Sequence, residues 1–318
     1  MRRDYLLIMT TMFFVLFSVF FSLLQGSTAI PVQTLLLPNA LGEWHPVLSQ
    51  IRLPRTLGAF VSGGLLSLAG ILMQLLLQNP LADPYILGIS GGAAFVTLLM
   101  MLFATTAFSM GFSALMGALL TIMMILLFAK KHRWHSHTLL LIGMALACIF
   151  SAGISFILIL SPDKNLHSML FWLTGDLNGR DFPYGALTVL SGGLFISQLL
   201  APGFNILARG EREALVLGLA VQRYRIGLYF LSAALTATAV TLAGCIGFVG
   251  LIIPHLTRRL VGVDHRVLIP LATALGGSLV VIADTLARTL FAPTQLPVGI
   301  VIAFIGIPFF IWLLPKPS

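Results

Sequence analysis

Charge is scarce in this 318-residue sequence: 18 Lys and Arg with 10 Asp and Glu make up only 9% of the chain. A soluble globular domain carries about 25% charged residues, so this chain could not cover a water-facing surface. Of the acids, only Asp284 lies well inside an apolar stretch. Proton- and sodium-driven carriers bury acids near the bilayer centre, and their scarcity argues against a self-powered carrier. The four lysines are Lys130, Lys131, Lys164 and Lys316, and none follows a glycine. No phosphate-binding loop of the Gly-x4-Gly-Lys-Ser/Thr type can be written, which excludes ATP hydrolysis by that route. The filter motif or polar ring that a channel needs is not visible either. Cysteine is limited to Cys148 and Cys245, both in apolar stretches. Small buried hydrophobes are expected there, not a disulfide or a metal pair. The formal charge of +8 comes from Lys and Arg scattered singly. Without a basic stripe, it reads as membrane topology and not as a nucleic-acid surface.

What the chain does have is apolar length, with 58% hydrophobic residues. A spanning helix needs about 20 mostly apolar residues. The stretches 5–24, 56–77, 86–103, 108–128, 139–160, 184–200, 226–243, 246–260, 267–291 and 298–314 fit that requirement. The expectation is an all-α, polytopic membrane protein of about ten transmembrane helices, forming one membrane domain over residues 1–318. The run 226–260 is too long for one helix, and Gly244 to Gly247 offers the turn that divides it. The first stretch follows Met1-Arg2-Arg3 but is long for a signal peptide, and is expected to be a retained helix.

With the N-terminus inside, the inner segments hold Arg2, Arg3, Lys130, Lys131, Arg133, Arg209, Arg212, Arg223, Arg225, Arg258, Arg259, Arg266 and Lys316. The outer segments hold Arg52, Arg55, Lys164, Arg180 and Arg288. That imbalance obeys the positive-inside rule and puts both termini on the cytoplasmic side. An odd number of crossings would spoil it.

Three stretches are dense in proline and glycine. Residues 78–93 run from Gln78-Asn79-Pro80 through Asp83-Pro84 to Gly88, Gly91 and Gly92. The prolines break a helix, Asn79 and Asp83 can cap exposed backbone groups, and the glycines permit close packing. Taken alone this is either a structured re-entrant turn or a gate. The second stretch, 244–259, contains Phe248-Val249-Gly250 and Pro254-His255, then continues through Asp264-His265-Arg266 to Asp284 and Arg288. The third holds Leu296-Pro297-Val298-Gly299 and Gly306-Ile307-Pro308.

Together with Ile51-Arg52-Leu53-Pro54-Arg55, these stretches resemble the FecCD-type permeases of bacterial ATP-binding-cassette importers, which take up ferric siderophores, haem and cobalamin. The resemblance runs from about Ile51 to Leu314. It implies a permease in the bacterial cytoplasmic (inner) membrane that pairs with a second permease subunit, as a homodimer or a close heterodimer. It also implies a cytoplasmic ATPase dimer and a periplasmic substrate-binding protein as partners. Neither a metal nor a cofactor is implied, and ATP hydrolysis would fall to the partner.

By the same resemblance, Gly210, Glu211, Ala214, Leu217 and Gly218 fall in the loop that docks into the ATPase. Arg209 stands where an apolar residue is usual. Without the resemblance, that loop reads as a solvated amphipathic connector. Arg52, Arg55 and Arg288 match arginines that meet acids on the binding protein, although guanidiniums at helix ends also simply snorkel to headgroups. Asn79 and Leu81 match the cytoplasmic gate. Ser136 fits the gate's other loop, where the flanking His135 and His137 depart from the pattern. The His132, His135 and His137 cluster reads as interfacial basic residues. Asp176 replaces a small hydroxyl residue. Asp284 precedes Arg288 by one helical turn, so an intrahelical ion pair is expected.

Two other readings stay open. An autonomous secondary carrier or channel would transport without partners. A membrane-embedded enzyme would need His and acids clustered at one depth, and here they are isolated.

Overall fold

The computed structural model describes residues 2–26, 44–103, 109–131, 136–179 and 181–313. The described residues include twelve α-helices, with short helical turns of other pitch at Val47–Arg52 and Pro84–Leu87. They are α1 (Arg2–Leu24), α2 (Leu53–Leu77), α3 (Ile89–Leu102), α4 (Met110–Lys131), α5 (Ser136–Leu160) and α6 (Asp163–Leu173). Then follow α7 (Tyr184–Leu207), α8 (Glu211–Val216), α9 (Val221–Ala243), α10 (Val249–Val261), α11 (His265–Thr289) and α12 (Val298–Leu313). All ten apolar stretches expected from the sequence are helices. The two additions, α6 and α8, are short.

Among the described residues, six segments are long and apolar enough to cross a membrane: Val47–Leu77, Met110–Phe128, Thr138–Leu160, Tyr184–Leu207, Val221–Ala243 and His265–Thr289. The long 226–260 run divides as expected. Gly244 takes φ +70 just after α9, and Phe248 at φ +68 precedes α10. Helix α7 continues seven residues past its expected end, carrying Pro202 inside it. Cys148 differs from expectation, because it lies on an exposed face of α5 and is not buried.

Helix α2 is the hub, and α11, α9, α10 and α7 all pack on it. Nearly the whole of its length is buried, from Thr56 to Leu77. Lipid supplies no hydrophobic force between helices, so association rests on close packing and interhelical hydrogen bonds. Both are present. Ser67 Oγ donates to Ala272 O of α11 at 2.8 Å, and Ser232 Oγ of α9 donates to Ala69 O at 3.2 Å. A Cβ on Gly70 would lie 2.0 Å from Gly250 O of α10, and one on Gly63 would lie 2.2 Å from Gly276 O of α11. Only glycine lets these backbones touch.

Helices α3 and α10 are shorter than a full span, at 14 and 13 residues. That is about 20 Å each at 1.5 Å per residue. Both begin inside the bundle. Gly250 packs on Leu66 and Gly70, in the middle of α2, and Pro84 abuts Gly250. Tyr85 Oη accepts from Ile246 N at 2.8 Å, which ties the segment leading into α3 to the one leading into α10. The prolines and glycines of 78–93 thus form a structured turn that leads back into the bundle. Its sharp break at Gly88, with φ +71, explains why α3 starts at Ile89, three residues later than the sequence suggests.

The Gly70 contact is testable. Gly70→Ala should lower unfolding stability by about 1–3 kcal/mol, the usual cost of overpacking. Gly192→Ala on α7, where an added Cβ meets nothing within 4 Å, should be neutral or stabilising. Thermal unfolding in detergent compares the two directly.

Candidate functional sites at the two ends of the bundle

Helices α2 and α11, each 25 residues long, run antiparallel for about 37 Å. They place two polar clusters at opposite ends of the bundle.

The first cluster surrounds Arg55, at the start of α2. Its Nε donates to Asp284 Oδ2 at 2.9 Å and Oδ1 at 3.1 Å, and an Nη donates to Oδ1 at 2.8 Å. Its other Nη donates to Gln295 Oε1 at 3.1 Å and to Asn178 Oδ1. Asp284 is almost fully buried. Arg288 does pair with it one turn away, but at 3.5 Å through Nε. The intrahelical pair expected from the sequence is thus the weaker half of a triad. The stronger partner comes from α2, 229 positions away in the chain. No i,i+4 rule could reveal it.

Arg288 is 6% exposed and donates to Ser22 O and Ser22 Oγ, each at 2.7 Å. Arg52 is 4% exposed and donates to the carbonyls of Leu23 and Leu24 at 2.7 and 2.8 Å. These carbonyls close the C-terminus of α1, where helical bonds run out and positive charge is favoured. Two of the three arginines singled out for docking therefore point into the bundle and clamp α1. Arg55 keeps partial exposure, with 12% of its side chain accessible.

The second cluster lies at the other end of α2. Asn79 Oδ1 accepts from Leu81 N at 2.9 Å, which shapes the turn, and Leu81 is exposed. Gln78 Nε2 donates to Leu75 O at 2.9 Å and reaches Leu207 O at 3.3 Å. Gln74 accepts from Arg258. Asn205 links α7 to the start of α11: Nδ2 donates to Asp264 Oδ1 at 2.7 Å, and Oδ1 accepts from His265 N at 2.9 Å. Asp264 caps α11 by accepting from Arg266 N at 3.0 Å. The Asn205 amide, then the Arg266 N–H, hold its carboxyl below the usual carboxylate range. Ser136 opens α5. His132 and His135 lie outside the described residues.

At this end the loop after α7 carries α8. Gly210 precedes α8 at φ +124 and Gly218 follows it at φ +78, two values that favour glycine. Ala214 is buried, and its carbonyl accepts from Leu219 N at 2.9 Å. Glu211 receives both Nη groups of Arg225, at 3.1 and 2.8 Å, which fastens α8 to α9. The tip is apolar and open: Leu215, Val216 and Leu217 are all exposed, Val216 to 88%. Sequence reasoning singled out Glu211, Ala214 and Leu217. It missed Arg225, Leu215 and Val216. A short apolar run is ordinary in so apolar a chain, and only its place outside the spanning helices, between two glycines of positive φ, sets it apart.

The FecCD transport family profile matches residues 14–316. The chain belongs to that family. Among its relatives is the vitamin B12 import system permease protein BtuC of Citrobacter koseri, 39% identical over 272 residues, covering 84% of this chain and 82% of that one. The hemin transport system permease protein HmuU of Yersinia pestis is 38% identical, covering 85% and 83%. The Fe(3+) dicitrate transport system permease protein FecD of Escherichia coli is 35% identical over 93% of each chain. A solved structure of an inward-facing, metal-chelate type ABC transporter superposes with a TM-score of 0.87. It is 32% identical and covers 97% of this chain and 98% of that one. The chain is therefore a multi-pass inner-membrane permease of the ABC importer type, a transport component and not an enzyme.

The triad at the Arg55 end carries a stability prediction. Asp284→Ala leaves two arginines without their carboxylate. Removing one partner of a buried pair costs about 3–5 kcal/mol, so a large fall in melting temperature is expected in detergent. A fall no larger than that of an exposed-site variant would show that the triad is not holding α1, α2 and α11 together.

Proposed function

We propose that this chain carries a metal chelate across the inner membrane as one permease of a paired permease core, residues 1–318 acting as a single membrane unit. The cargo would be a ferric siderophore or haem, with cobalamin close behind. The relatives named for vitamin B12, hemin and ferric dicitrate support that class of cargo.

The observation that carries the reading is α8. An open apolar tip, flanked by two left-handed glycines and fastened by Glu211 to Arg225, is a docking element waiting for a partner. A cytoplasmic ATPase dimer fits it, because the chain has no nucleotide-binding loop of its own. Both termini then lie on the cytoplasmic side, as do the turn at Asn79 and Leu81 and the start of α5 at Ser136, which would form the gate. The Arg55 end faces the periplasmic binding protein. There Arg55 is the arginine best placed to meet an acid directly. Arg52 and Arg288 would act by holding α1 against α2 and α11. The second permease subunit is proposed to be another copy of this chain.

In this scheme a loaded binding protein docks at the Arg55 end, and ATP binding and hydrolysis move α8 at the other. The Glu211–Arg225 pair makes α9 follow. The passage opens alternately to each side, and the chain forms no covalent bond with its cargo.

Copurification tests the partner assignment. The chain should isolate with an ATPase whose hydrolysis rises when loaded binding protein is added. Isolation as a lone monomer would contradict it. Within that complex, Glu211→Arg should keep basal hydrolysis and lose chelate uptake. The exchange of both residues, Glu211→Arg with Arg225→Glu, should recover a substantial part of uptake. Normal uptake by Glu211→Arg alone would rule out the strut.

A further inference from the structure

At the Gln74 end of the bundle lies a cavity of about 240 Å3. It sits among the last turn of α2, the turn after it, the start of the loop leading to α8, and the adjoining ends of α10 and α11. Gln74, Gln78, Asn79, Ala208, Arg258 and His265 contribute to its wall.

The charge in this wall is of one sign. Arg258 donates one N–H to Gln74 Oε1, and a guanidinium has five to give. Among the described residues no carboxylate lies within ion-pair distance of Arg258. Asp264, the acid beside His265, turns its carboxylate to the Asn205 amide and the Arg266 N–H. Two further wall residues keep hydrogen-bonding capacity. Asn79 commits its Oδ1 to Leu81 N, which leaves its amide as a donor. His265 is buried, with its Nδ1–H donating to Asn205 Oδ1 at 2.8 Å, so Nε2 is left as an acceptor and gives an anion no bond. The rest of the wall is largely apolar, with Leu75, Pro80, Ala208 and Val263, so a half-buried guanidinium without a counter-ion is its one charged group and a site for an oxyanion. Arginine's planar fork matches phosphate by two parallel N–H bonds.

We propose that this cavity binds a phosphate group through the guanidinium of Arg258, with the Asn79 amide as a second donor. The group would belong either to free phosphate or to a lipid headgroup at the membrane edge. Bound there, it would bridge the turn at Asn79 to Arg258 near the end of α10. Occupancy would thus hold this end of the bundle in one arrangement. Binding at the site does not depend on the cargo or the partners.

The test uses the full chain, purified and delipidated in detergent. Inorganic phosphate is titrated against chloride at matched ionic strength, and melting temperature is read. In parallel, native mass spectrometry records retention of short-chain phosphatidic acid. Free phosphate as ligand predicts a saturable rise with phosphate and none with chloride. A lipid ligand predicts retained phosphatidic acid with no response to inorganic phosphate. In either case Arg258→Gln should weaken binding about tenfold or more, as loss of a charge-assisted hydrogen bond requires, and Arg258→Lys should weaken it less. A wild-type protein that responds to neither source overturns the proposal, whatever the variants do. So does an Arg258→Gln protein that binds as the wild type does.

Discussion

Lipid offers a polar group no hydrogen-bond partner, and every charged or polar side chain in this bundle must answer to that. Asp284 sits deep in the packing at the Arg55 end and can remain there because two guanidiniums, from α2 and from its own helix, converge on it. The same guanidiniums cannot be understood as isolated charges. Arg288 reaches on to Ser22, and Arg52 reaches the last carbonyls of α1. One carboxylate and three arginines thus determine how α1, α2 and α11 meet. Elsewhere hydroxyls do the same work on a smaller scale by bonding across helices, as Ser67 and Ser232 do on either side of α2.

With α2 buried along nearly its whole length, the two ends of the bundle are linked by a single stiff element. Around it lie two helices of less than full length, α3 and α10; Pro84, in the segment leading into α3, meets the start of α10 beside Leu66. Interrupted helices are tolerated at membrane depth only where protein or water, not lipid, surrounds the freed backbone groups. Here the Tyr85 hydroxyl takes one such N–H, that of Ile246. The bundle therefore combines a rigid axis with interior breaks where a change of shape costs least. A transport protein needs both.

Much of this was legible in the sequence, for a physical reason. Apolar runs of spanning length leave little choice but helices, and proline with glycine at 78–93, and glycine alone at 244–250, mark where they stop. The ten helices followed from that, as did the division at Gly244. Local capping was readable too, and Asp83 and Asn79 do bond backbone groups two residues on. What the sequence hid was pairing across the fold. Asp284 showed its near neighbour Arg288 and concealed Arg55. Glu211 looked like a surface acid, while the structure fastens it to Arg225. The apolar tip was hidden as well, because in a chain this apolar the types of Leu215 and Val216 do not distinguish them from residues of the spanning helices.

The account's central claim is that this chain is a passage whose energy comes from a separate ATPase. The most direct measurement is chelate uptake into liposomes holding the chain alone or the chain with its ATPase, with loaded binding protein outside and ATP inside. The account predicts uptake only when both ATPase and ATP are present, and no effect of an imposed proton or sodium gradient on the chain alone. Gradient-driven uptake by the chain by itself would contradict it.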